Sequence, residues 1–99
     1  MVISETLQLR INAFCERWSV AELWLFGSVA RGQERAESDV DILVKFRPDA
    51  ATSTWDWPAM SDELATILGR RVDLLSEGVL RNPYRRASIM ADRQVLYAA

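Results

Sequence analysis

The sequence predicts a single α/β (α+β) domain, and three observations carry that reading. Apolar runs at residues 22–26, 39–46 and 71–75 are short, and the latter two alternate with the two-residue period of a strand. Stretches at 4–18, 55–68 and 84–91 place apolar residues three and four apart, as a helix with one buried face requires. The two kinds of segment interleave along 99 residues, a length that supports one domain and not two.

Taken in order, Ser4 is placed to cap a helix whose stripe is Leu7, Ile11, Phe14, Cys15 and Trp18. That stripe reads as core, with Cys15 a small buried hydrophobe rather than a reactive thiol. Residues 19–21 connect to the first strand. Gly27 and Ser28 follow it at once, and residues 28–31 suit a short helix stopped at Gly32. Residues 33–38 are polar and turn-like. In the second strand Val40, Ile42, Val44 and Phe46 share one side, while Asp39, Asp41, Leu43 and Lys45 share the other. An apolar side packed on helices and an acidic side opening on a cleft account for that split. Residues 47–54 read as a loop. The next helix holds Trp57, Met60, Leu64, Ile67 and Leu68 on one face, with Pro58 in its first turn and Gly69 as its stop. After the third strand a loop through Gly78 leads to Pro83 and a last helix. Residues 94–97 form either a final strand or an extended tail.

Composition narrows the function. The net charge of −2 and a pI near 5.1 argue against a domain that grips nucleic acid mainly through phosphates. There is no histidine, which excludes imidazole bases and histidine-ligated zinc. The lone Cys15 cannot form an internal disulfide and fits a reducing compartment. Neither a leader pattern nor an apolar run of about 20 residues is present. The expectation is a soluble, cytoplasmic domain with no membrane contact.

The candidate chemistry lies in residues 23–46. Asp39 and Asp41, two apart on a strand, put their carboxylates on one face with Cα atoms roughly 6.5–7 Å apart. That spacing lets them share hard divalent ions, and two ions about 3.5–4 Å apart can clamp an in-line displacement at phosphorus. Alone, such a pair reads equally as solvated strand-edge residues. Ten residues upstream, Gly27 permits close backbone approach, and Ser28 offers a hydroxyl and amides to an anion. A plain tight turn is the competing reading of that dipeptide. Asp73 interrupts an apolar run, either as an edge residue or as a third member of the acidic group.

The segments Gly27-Ser28-Val29-Ala30-Arg31-Gly32 and Ser38-Asp39-Val40-Asp41-Ile42-Leu43-Val44 resemble the signature of the minimal nucleotidyltransferase (MNT) family. That family belongs to the DNA polymerase beta-like nucleotidyltransferase superfamily. The resemblance extends more loosely through Gly69-Arg70-Arg71-Val72-Asp73-Leu74-Leu75 to Tyr97, so that residues 1–99 form one such domain. Gln33 stands where the family often has an acidic residue. The resemblance implies a mixed β-sheet flanked by helices. It implies that Gly27 and Ser28 hold a triphosphate and that Asp39 and Asp41 ligate Mg²⁺, two ions in all. Asp73 would join one metal and accept the proton of the attacking hydroxyl. Arg31 would neutralise phosphate charge, although a pair with Glu34 or Glu37 explains it equally well.

On that basis the expected activity is metal-dependent transfer of AMP from ATP to a hydroxyl. The family implies a tyrosine of a HEPN-domain ribonuclease toxin as acceptor, which makes the chain an antitoxin of the HEPN/MNT type. Two other readings stand beside it: a non-catalytic module that neutralises the toxin by contact, and one half of a two-chain small-molecule nucleotidyltransferase. Trp55 is a candidate exposed aromatic, though core burial is the expectation for it. Arg70, Arg71, Arg81, Arg85, Arg86 and Arg93 make the last third basic and read as a solvated face.

Overall fold

The structure is a computed structural model, and it describes residues 1–33 and 39–99. Ser4 accepts a hydrogen bond from the Leu7 amide at 3.1 Å, capping helix α1 (Glu5–Arg17) as its residue type favours. Strand β1 (Val20–Phe26) runs into a single helical turn, α2 (Gly27–Ala30), and β2 (Val40–Phe46) follows. A 3-10 turn at Thr54–Asp56 leads into α3 (Trp57–Leu68), which stops at Gly69 in the left-handed conformation, φ 70°. Then come β3 (Val72–Ser76), a 3-10 segment (Glu77–Arg81), α4 (Pro83–Asp92) and β4 (Gln94–Ala98).

The four strands form one sheet in the order β3-β2-β1-β4. β1 lies antiparallel to both β2 and β4, whereas β2 and β3 are parallel, so the sheet is mixed. The parallel pair needs a crossover, and α3 supplies it. Val40, Ile42 and Val44 face α1 and α3 and are buried with Ile11, Phe14, Cys15, Met60 and Leu64. This is the apolar side foreseen from the alternation. Its opposite is only partly open: Leu43 packs there with Trp24, Phe26 and Ile89 of α4. The second layer is therefore thin, and the acidic positions sit at its rim.

Several boundaries differ from the expectation for physical reasons. β1 starts two residues early, at Val20, because Ser19 turns the chain with φ 57° and its carbonyl accepts from the Arg47 amide at 2.9 Å. A register irregularity between Val20 and Glu22 absorbs the change. Asp39 precedes β2 rather than opening it. The C-terminal residues form a strand, not a tail, since β4 pairs with β1. Trp55 is exposed at 91%, contrary to the expected burial. It is Trp57 that packs inward, tilted against Phe46 with its indole N–H donating to the Leu74 carbonyl at 3.2 Å. At the other edge of the sheet, the Gln8 side-chain Nε2 donates to the Leu96 carbonyl at 2.8 Å. Among the described residues no helix is long and apolar enough to cross a membrane.

Cys15 is fully buried, and burial pushes its thiol up to about 12, with Arg47 offsetting only part of the effect. Almost no thiolate exists near neutral pH. Iodoacetamide is expected to label Cys15 at the rate of unfolding, slowly in buffer and fast in denaturant. Rapid labelling of the native protein would contradict its place in the core.

Candidate active site

β1 ends at Phe26, which lies in register with Asp41 on the neighbouring strand. The next residue, Gly27, has φ 76°, so the chain leaves the sheet in a backbone conformation that other residues rarely adopt. The turn is closed by amide-to-carbonyl bonds from Arg31 to Gly27 (3.2 Å), Gly32 to Val29 (3.2 Å) and Gln33 to Ser28 (2.9 Å). Val29, buried in the core shared by α1 and α3, pins the turn from below. Asp41 is held directly against this turn: a Cβ on Gly27 would stand 2.2 Å from Asp41 Oδ2. Glycine at this position is a condition for the carboxylate to occupy its place.

Asp73 reaches the same spot from the other side. The parallel pairing of β2 and β3 sets Asp41 opposite Asp73, and the Val40 amide donates to the Arg71 carbonyl at 2.9 Å to fix that register. Residues paired this way point to the same face, about 4.8 Å apart across the strands. Asp41 is half-buried and Asp73 is exposed. Burial raises the Asp41 pKa first, and the charges of Asp73 and then Asp39 raise it further. Arg85 and Arg31 pull it back down.

Asp39 behaves differently. Its carboxylate pairs with Arg71 Nε at 3.1 Å, an exposed ion pair of little strength. Among the described residues, no three acidic side chains stand close enough to surround one ion as they are. The sequence brought Asp39, Asp41 and Asp73 together as a set, but the structure preassembles only Asp41 and Asp73. The donor chemistry still suits a hard divalent cation, because the group consists of carboxylates with no sulfur or imidazole. A cation would also relieve the repulsion that Asp41 feels from its acidic neighbours.

Arg31 lies on the same side of the domain but is engaged. Its Nη1 pairs with Asp92 at 2.6 Å and its Nε donates to Gln33 at 3.2 Å. The alternative partners named from the sequence, Glu34 and Glu37, lie outside the described residues. Two participants escaped the sequence reading: Asp92, and Arg85, whose charge acts on Asp41 from α4. Both are on the face of α4 that carries Ile89, a relation visible in the spacing once that helix is known to cover the acidic side of the sheet.

A cavity of about 390 Å³ lined by Phe46, Thr52, Ser53, Trp57 and Ser76 includes none of these residues.

Residues 9–96 match the nucleotidyltransferase domain family. A proposed protein adenylyltransferase of Methanocaldococcus jannaschii is 36% identical over 90 residues, covering 91% of this chain and 90% of its own length. A solved structure of a proposed minimal nucleotidyltransferase superposes with a TM-score of 0.68 at 33% identity, over 94% of this chain and 95% of that one. A chain of the Shewanella oneidensis complex between a tri-AMPylated HEPN toxin and an MNT antitoxin superposes with a TM-score of 0.61. At 20% identity, over 96% of this chain and 72% of that one, the last match speaks for the fold alone.

Proposed function

This chain belongs to the nucleotidyltransferase domain family, and from that premise we propose that it transfers AMP from ATP to a tyrosine hydroxyl of a HEPN ribonuclease toxin, acting as its antitoxin. The observation that carries this reading is the pairing of Asp41 with Asp73, held against the Gly27–Ser28 turn. The relatives support it: one is named as a proposed protein adenylyltransferase, and another similar fold occurs with an AMPylated HEPN toxin. The exposure of Asp73 fits an acceptor carried on another protein. A lone buried thiol fits the reducing cytoplasm.

In the reaction the acceptor oxygen attacks the α-phosphorus, the new P–O bond forms, and the bond to pyrophosphate breaks. Asp73, exposed at the rim, takes the hydroxyl proton. Asp41 and Asp39 would hold Mg²⁺ with Asp73, and the bound ions would supply charge neutralisation at the attacking and leaving oxygens. The Gly27 and Ser28 amides and the Ser28 hydroxyl bind the triphosphate. Arg31, bound to Asp92, braces the Gly27 turn against α4. Positioning and electrostatics supply the catalysis, as phosphoryl and nucleotidyl transfer require.

The test is incubation with α-phosphate-labelled ATP, Mg²⁺ and a HEPN protein co-expressed from an adjoining reading frame. Label is expected on a tyrosine of that protein, and EDTA is expected to abolish it. A purified complex that forms but never takes up label would leave the second reading, neutralisation by contact. The observation favouring that reading is Asp39, which is turned to Arg71 and so leaves the acidic group incomplete as it stands.

A further inference from the structure

We propose that Arg85 of α4 is the guanidinium that contacts the phosphate oxygens of the bound nucleoside triphosphate, while Arg31 is a structural brace. The inference rests on the nucleotidyltransferase reading and adds a residue to it. A triphosphate beside three carboxylates needs cations from the protein, because the carboxylates already cancel much of the charge of any bound metal. Arg31 is the obvious candidate by position, but its guanidinium is committed to Asp92 and Gln33.

Arg85 is placed by the register of α4. Residues 85, 89 and 92 are four and three apart and therefore share one face of the helix. Ile89, 3% exposed, fixes that face against Trp24, Phe26 and Leu43, on the same side of the sheet as Asp41. Asp92 fixes it again by holding Arg31 of the Gly27 turn. The start of the helix is set by Asn82, whose side chain accepts from the Tyr84 and Arg85 amides at 3.0 and 3.2 Å. With both ends anchored, α4 presents position 85 on the helix face that covers the Asp41 side of the sheet. Arg85 is exposed, and among the described residues it makes no ion pair that would compete with an incoming anion.

The experiment is titration calorimetry of the full chain with Mg²⁺-AMP-PNP, and with adenosine, for wild type, Arg85→Ala, Arg85→Lys and Arg31→Ala. Arg85→Ala is expected to weaken AMP-PNP binding by about 10- to 100-fold, the range of a lost charge-assisted hydrogen bond or pair of them. Adenosine binding should change little, and Arg85→Lys should recover part of the loss. Arg31→Ala should mainly lower the melting temperature by releasing α4 from the turn. Because Arg85 is exposed, its replacements are expected to fold, and near-ultraviolet circular dichroism checks that. Wild-type affinity for AMP-PNP in Arg85→Ala overturns the assignment and leaves the nucleotidyltransferase reading intact. Equal losses for AMP-PNP and adenosine overturn it too, since the contact would not be to phosphate. A wild-type chain that binds no nucleoside triphosphate overturns both.

Discussion

Gly27→Ala is expected to reduce AMP transfer by at least about 10²-fold, the scale on which misplacing one catalytic electrostatic group is felt. The added methyl would overlap Asp41 Oδ2 at 2.2 Å, so either the carboxylate or the turn must move. The φ of 76° adds backbone strain of about 1–3 kcal/mol, or roughly 4–8 °C of melting temperature per kcal/mol in a domain of this size. Gly69→Ala separates the two effects. It carries nearly the same φ, 70°, but no atom lies within 4 Å of its new Cβ. That variant should lose stability and keep its transfer rate. Comparable transfer by both variants, measured at a temperature where each is folded, would refute the claim that Gly27 makes room for Asp41.

Asp41→Asn is expected to move activity and stability in opposite directions. Transfer should fall by about 10²–10³-fold, because the half-buried member of the acidic pair loses its charge. Stability near neutral pH should rise. The folded-state pKa of Asp41 lies above its ordinary 3.8, raised by burial and then by Asp73 and Asp39. Between those two values the folded chain binds more protons than the unfolded one, so stability falls as pH rises through that window. Above it the full cost of the buried charge is present. The gain from asparagine should therefore be largest near neutral pH and fade as pH drops towards 3.8. Mg²⁺ at about 100 times its Kd should stabilise the wild type by about 2.7 kcal/mol and the variant by much less. Thermal melts across pH, with and without Mg²⁺, measure all of this. A variant that melts below the wild type at pH 7, or gains as much from Mg²⁺, would contradict it.

How much of this was legible in the sequence follows from what is local. The Asp39–Asp41 spacing, the Gly27–Ser28 turn and the helix stop at Gly69 are set by neighbours along the chain, and all were readable there. Asp73 was readable only as a suspicion. Its place beside Asp41 depends on β3 lying parallel to β2, which no short window records. The distant partners were hidden for the same reason: Asp92 for Arg31, Arg71 for Asp39, and Arg85, whose charge acts on Asp41. The helical spacing already put Trp57 on the covered face, where it packs on Phe46, but it gave no reason to expect Trp55 to stay in solvent. The start of β1 at Val20 was masked by Ser19, whose positive φ no residue preference signals.

The two side-chain bonds at the outer strands bear on how another protein can attach. β3 and β4 flank the sheet, and a carbonyl on each, Leu74 and Leu96, is already occupied by Trp57 and Gln8. An incoming strand would meet these side chains at each edge, which hinders growth of the sheet by addition from a neighbour. Recognition of this domain by another protein is then expected to fall to side chains on its faces and loops, where single substitutions can alter the choice of mate.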